Sequence, residues 1–159
     1  MTTPVVVAIR AGTEADSEFL ADAHRLGHEA VTDARGGALD ILLRGRPEPI
    51  EKSFLDDLAS ADHSVLVATA NDQPVGYLVA RRQVLRSEEA ILMVSDLWVH
   101  PKARGIGLGS ALMQDALEIA SSSGCVGIDA RALPGDRATK NFFESFGLVA
   151  RTIEVHRAI

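Results

Sequence analysis

Leu97-Trp98-Val99-His100-Pro101-Lys102-Ala103-Arg104-Gly105-Ile106-Gly107-Leu108-Gly109-Ser110 is the stretch that decides how this chain reads. An apolar run ends at Pro101, three glycines follow at alternate positions, and an amphipathic pattern begins at Leu108. Strand, glycine turn and helix in that order make an anion cradle. Without Cβ atoms the backbone can approach a ligand closely, and the unpaired N–H groups of the first helical turn face one spot, where the helix dipole also favours negative charge. Lys102 and Arg104 add cationic donors nearby. Spacing separates three loops of this kind. A G-x-G-x-x-G dinucleotide fingerprint beginning at Gly105 and Gly107 needs glycine where Ser110 stands, and no lysine follows any of these glycines as a P-loop requires. What remains is R-x-x-G-x-G at 104–109, preceded by V-x-P at 99–101.

Working outward, residues 90–99 are apolar on both alternating faces, which predicts a central strand covered on both sides. Residues 63–70 and 75–82 predict a hairpin about the turn Asn71-Asp72-Gln73-Pro74. The β-branched run at 5–9 predicts a first strand. Thr13, followed by Glu14 and Asp16, starts a helix that Gly36 and Gly37 end. Residues 38–48 are ambiguous, and a short helix follows at about 50–61. Helices are predicted at 108–120 and 137–146, and strands at 125–130 and 149–155. The order β-α-α-β-β-β-α-β-α-β predicts an α/β fold: a mixed, mostly antiparallel sheet of six or seven strands with about four helices on its two faces.

The 159 residues read as a single domain, 1–159, without repeats or linkers. Cys125 stands alone, which excludes an internal disulfide framework and a Cys-rich zinc module. No apolar run reaches the roughly 20 residues of a membrane span, and the start MTTPVVVAIRAG shows neither a basic leader nor a long apolar core. The expectation is a cytoplasmic protein with no membrane association. The net charge of −6 argues against a nucleic-acid binder. Residues 1–100 carry 9 basic and 16 acidic side chains, a balance of −7, and the remainder carries 7 and 6, a balance of +1. An anionic ligand is better placed on the C-terminal part and a cationic one on the N-terminal part.

With R-x-x-G-x-G after V-x-P, the chain resembles the GCN5-related N-acetyltransferase (GNAT) superfamily, where this pattern is the acetyl-CoA pyrophosphate loop. The resemblance extends to Ile9-Arg10-Ala11-Gly12-Thr13 as the opening strand and to Gln73-Pro74-Val75-Gly76-Tyr77 as the x-x-V-G element. Asn141-Phe142-Phe143-Glu144-Ser145-Phe146-Gly147-Leu148 matches the late F-Y-x-x-x-G-F junction. It implies the splayed GNAT sheet and transfer of acetyl from acetyl-CoA to a primary amine of a small molecule or protein by direct attack, with no metal. It also implies that strands 90–99 and 125–130 splay apart around the cofactor. Leu97, Trp98 and Val99 would then bind the pantetheine, and Arg104, Gly105, Ile106, Gly107, Leu108, Gly109 and Ser110 the pyrophosphate. Asn141 and Phe143 of the late helix join the cofactor residues. Dimers are common in the family, and an apolar last strand is a place for a homodimer to pair.

Asp96 is the candidate catalytic residue. It lies mid-strand among apolar residues, where a carboxylate is costly unless paired or facing a wet cavity, and polyamine acetyltransferases of the family place an acid there against the substrate amine. Its alternative is a structural carboxylate bonded to backbone N–H groups or an arginine. Glu88 and Glu89, at the strand's entrance, could steer a cation. The family's tyrosine acid falls on Phe143, which has no hydroxyl; water or Ser145 would then meet the thiolate, whose pKa of about 8.5 lets it leave without strong help. A family asparagine position is Asp136 here. His24 and His28 form an i, i+4 pair without a third metal ligand, and an exposed helix face explains them better. His100 reads as a surface residue and Cys125 as a buried small hydrophobe. Two rivals stay open: an acyl-CoA-binding module with little or no turnover, and a dinucleotide-dependent oxidoreductase.

Overall fold

The computed structural model describes residues 3–159. Five strands form one sheet in the order β1-β2-β3-β4-β5: β1 (Val7–Ala11), β2 (His63–Ala70), β3 (Gln73–Val84), β4 (Ala90–Val99) and β5 (Cys125–Asp129). All neighbours are antiparallel except β4 and β5. The β2–β3 hairpin has a two-residue loop, since Ala70 pairs with Gln73. Its Asn71 and Asp72 both have positive φ, 49° and 63°. These two residue types tolerate that conformation, and it matches the twist of the flanking strands.

The alternation of β2 and β3 splits the core in two. Leu66, Ala68, Leu78 and Ala80 meet the apolar stripe Leu108, Leu112 and Ala116 of α4 (Leu108–Ser122). On the other face, Val65, Val67, Tyr77 and Val79 meet Leu20 and Ala21 of α1 (Ser17–Val31). Phe54 of α3 (Ile50–Ala59) joins that second core. Phe54 is fully buried, so Phe54→Ala would cost about 3–5 kcal/mol.

β4 belongs to both cores, and a bulge decides which side chain goes where. Val79 pairs with Asp96 and Ala80 with Val94, leaving Ser95 as the extra residue. Strict alternation would put Asp96 on the face of Leu92 and Val94, inside the α4 core. The extra residue moves it to the face of Tyr77 and Trp98, beneath α1. No feature of the sequence marks this bulge.

Several elements differ from the sequence expectation. The ambiguous segment forms α2 (Gly37–Arg44), and Gly36, with φ 81°, opens that helix rather than closing α1. The last strand expected at 149–155 does not form; residues 148–159 pair with no strand and are tied down by ion pairs instead. Arg151 Nε lies 2.9 Å from Asp129, and Arg44 Nη2 lies 2.5 Å from Glu154. Polar anchors of this kind leave Val149, Ile153 and Val155 exposed. The sheet therefore has five strands among the described residues rather than six or seven, and α5 (Arg137–Glu144) is the last helix.

Candidate active site

β4 and β5 pair only from Ala90 with Cys125 to Met93 with Asp129. Beyond that point β5 ends, while β4 continues to Val99 with β3 on its other edge alone. The free edge from 94 to 99 opens into a groove that runs from α1 and α2, past the start of α4, to α5 and the C-terminal segment. Leu97, Trp98, Val99, Arg104, Gly105, Gly107, Leu108, Gly109 and Ser110 line it. Ile106, half exposed, and Asn141, exposed on α5, lie outside its lining.

The glycine loop has the geometry of a cradle. Gly105 and Gly107 have φ of 81° and 85°, a region that side-chain-bearing residues rarely adopt. A Cβ built on either meets no protein atom within 4 Å, so both face open space. Gly107 is the N-cap of α4 and has no side chain to close off the first-turn N–H groups. Arg104 Nε donates to the Val99 carbonyl at 3.0 Å, fixing the loop to the end of β4. His100 accepts from the Lys102 amide at 3.2 Å and packs edge-on to Trp98, the role of a small capping residue. An exposed backbone nest with two adjacent cations suits a pyrophosphate, so these residues fit an acyl-CoA.

On α5, Phe143 is buried, with its ring 5.5 Å from that of Phe142. Phe142 lies 3.7 Å from a Cβ built on Gly109 and so supports the cradle from behind. Asp136 caps the helix, accepting from the Thr139 amide at 3.1 Å. The Ser145 hydroxyl donates to the Phe142 carbonyl at 2.6 Å and is already engaged. Glu88 and Glu89 sit in the β3–β4 turn, at the far end of β4 from the cradle, and take no part in the groove.

Beneath α1 the groove wall is a network of buried polar side chains. Asp96, 10% exposed at its side chain, accepts from four groups. His24 Nδ1 at 3.2 Å and the Tyr77 hydroxyl at 3.3 Å meet Oδ1; Arg46 Nη2 at 2.8 Å and the Ser95 hydroxyl at 2.7 Å meet Oδ2. A carboxylate offers about four lone-pair sites, and all are taken. Burial alone would raise the Asp96 pKa, but the His24 hydrogen bond and the Arg46 charge outweigh it and hold the carboxyl well below the usual range. Asp96 has no lone pair left for an acceptor amine, and Arg46 neutralises its charge. This is the setting of the arginine-paired carboxylate that the sequence left open as the alternative to a catalytic role.

Arg46 extends the network. Its Nη1 reaches Asp57 at 2.6 Å and Ser53 at 3.1 Å, and its guanidinium lies 3.9 Å over the Phe54 ring. His63 Nε2 is 3.3 Å from Asp57. Burial pushes the Tyr77 hydroxyl well above its ordinary pKa, and the neighbouring Asp96 charge adds to this. Among the described residues, the buried side-chain nitrogens and oxygens without a partner are His24 Nε2 and Arg46 Nε. The exposed helix face expected for His24 and His28 is therefore not what forms. His24 is 5% exposed and its ring centroid lies 3.9 Å from that of His28. Among the described residues no group of three or more metal-binding side chains occurs, and no helix is long and apolar enough to cross a membrane.

Comparison with known proteins agrees with this layout. The sequence profile of the acetyltransferase (GNAT) family matches residues 35–148. The chain belongs to that family. It is an acetyl-transferring enzyme with the GNAT fold. It is 28% identical over 163 residues to glucosamine 6-phosphate N-acetyltransferase 1 of Oryza sativa subsp. japonica, covering 96% of this chain and 94% of that protein. Among solved structures it resembles a transcriptional regulator from Bacillus halodurans C-125, with TM-score 0.74 and 22% identity over 97% of this chain and 100% of that one. It also resembles an aminoglycoside acetyltransferase from an uncultured soil metagenomic sample, solved with sisomicin, with TM-score 0.72 and 18% identity over 96% and 95% of the two chains. At such identities the structural likenesses speak for the GNAT fold alone.

Proposed function

We propose that the chain, as one catalytic unit, is an N-acetyltransferase that moves acetyl from acetyl-CoA to a primary amine by direct attack. The observation that carries this reading is the pair of positive-φ glycines, Gly105 and Gly107, facing open space at the start of α4 beside the free edge of β4. Bound there, acetyl-CoA supplies an activated acetyl thioester. The α4 N-terminus and Arg104 hold the pyrophosphate. The backbone at 97–99 hydrogen-bonds the pantetheine arm as an added strand would, and one of its N–H groups polarises the thioester carbonyl. The amine enters along the α1 side, beneath which the polar network lies. With Phe143 in the tyrosine position and Ser145 engaged, the thiolate takes its proton from solvent.

The acceptor is a small-molecule or protein amine. The likeness to glucosamine 6-phosphate N-acetyltransferase over nearly the whole chain makes an amino sugar phosphate the first compound to try. The test is thiol release from acetyl-CoA across a panel of amino sugars, aminoglycosides, polyamines and peptide N-termini. Amine-dependent release supports the reading. Tight acetyl-CoA binding with no release for any amine would favour the acyl-CoA-binding module.

A further inference from the structure

Catalysis by direct attack needs a group to take the proton of the acceptor's ammonium, and Asp96 has no lone pair free for it. The geometry beside Asp96 supplies another. His24 Nδ1 stands 3.2 Å from Asp96 Oδ1. That oxygen also accepts from the Tyr77 hydroxyl, which spends the phenol's one proton. An ionised carboxylate only accepts, so two facing lone pairs are avoided only if Nδ1 carries the hydrogen. The neutral imidazole then has its lone pair at Nε2. That atom is buried, in a side chain 5% exposed, and has no hydrogen-bond partner. His24 belongs to the groove wall, as does His28, which packs against it and is itself half-buried. A buried lone pair left unmatched is costly, and such groups call for a function.

We propose that His24 is the general base of the transfer, with Asp96 as the residue that orients it, and that the amine reaches Nε2 when the His28 side chain turns aside. This rests on the N-acetyltransferase reading above. Nε2 takes one proton from the acceptor ammonium, and Asp96 stabilises the imidazolium that results. The nitrogen lone pair bonds to the thioester carbon, and the C–S bond breaks with its electrons going to sulfur. The second proton lost by that nitrogen goes to solvent, from which the thiolate takes its own, and His24 returns the first to solvent. The charged and titratable groups around the His24 and His28 imidazoles include Asp40 on α2, Asp96 on β4, Tyr77 on β3 and Arg46 between α2 and α3, and Phe54 of α3 packs edge-on to His24. Burial is the largest cause that lowers the pKa of His28, against the nearby Asp96 and Asp40 charges that raise it.

Two measurements test this. The first is nitrogen-15 NMR of the wild-type imidazoles, which needs no substrate: His24 should be protonated at Nδ1 and bare at Nε2. The reverse tautomer overturns the proposal, and this arm decides even if a variant fails to fold. The second is His24→Asn, which keeps a donor toward Asp96 and removes Nε2. At neutral pH kcat should fall by roughly 10²–10⁴ with acetyl-CoA affinity unchanged, and the deficit should shrink as pH approaches the amine's own pKa, where no base is needed. A loss below tenfold, or one independent of pH, overturns the proposal. If the wild type binds acetyl-CoA but acetylates no amine, the transferase reading fails while the NMR result still reports how His24 is oriented.

Discussion

Where α4 begins, the groove is made of backbone. Gly105, Gly107 and the N–H groups that follow present dipoles to open space, and the side chains nearby are exposed cations that make few contacts. Beneath α1 the same groove is made of side chains. His24, Arg46, Asp57, Tyr77 and Asp96 come from four strands or helices and one connecting segment, are buried or nearly so, and bond one another, with His24 Nε2 and Arg46 Nε left over. A backbone cradle is robust to most substitutions outside its glycines, because the dipoles belong to the main chain. A buried polar network is fragile, because removing one charge leaves another unpaired.

The largest expected effect comes from breaking that network at its hub. Arg46→Ala strands Asp96 and Asp57 without their cation and should cost about 3–5 kcal/mol in urea unfolding. Lys102→Ala, beside the cradle, should change stability by less than about 0.5 kcal/mol. Equal effects would remove the contrast between the two walls. Asp96→Asn should cost about 1.5–3 kcal/mol, since hydrogen bonds to a charged group are lost and an amide cannot accept all four donors, while acetyl-CoA affinity stays the same. A changed affinity would mean that the two walls are coupled.

The same carboxylate predicts a pH dependence. Its folded pKa lies below the unfolded value, so the unfolded chain binds the proton first as pH falls. The stability Asp96 contributes is complete above about pH 5 and is lost progressively below about pH 4, toward its depressed folded pKa. Urea midpoints at pH 6 and pH 3.5 should drop less in Asp96→Asn than in the wild type; an identical drop contradicts the assignment. The smallest effect is expected at Phe143→Tyr. The residue is buried against Phe142 behind the cradle, so the acetylation rate should stay within about threefold or rise. A loss beyond tenfold without unfolding would show that the packing of Phe143 matters more than the missing hydroxyl.

The contrast also explains what the sequence could reveal. The glycine loop is seven consecutive residues whose spacing sets its backbone, so its positive-φ turn into a helix is legible by inspection. The same holds for the hairpin at Asn71 and Asp72 and for the stripe of α4. The polar network joins residues up to 72 positions apart, His24 to Asp96, and is assembled only by the fold. Arg46 sits in a stretch broken by Gly45 and Pro47 that shows no periodicity. The face on which Asp96 lies depends on the Ser95 bulge, an irregularity with no local signature. The i, i+4 spacing of His24 and His28 was the one visible hint, and its burial could not be read without knowing which face of α1 meets the sheet. The 149–155 segment alternates like a strand, yet a strand needs a partner, and pairing is a property of the whole sheet.

Calorimetric titration of acetyl-CoA into the wild type and Gly107→Val tests the backbone cradle most directly. Valine would put a Cβ into the open space proposed for the pyrophosphate and would strain a residue at φ 85°. The account predicts saturable binding by the wild type and at least a hundredfold weaker binding by a variant that still folds. Equal affinity for the two proteins would contradict it.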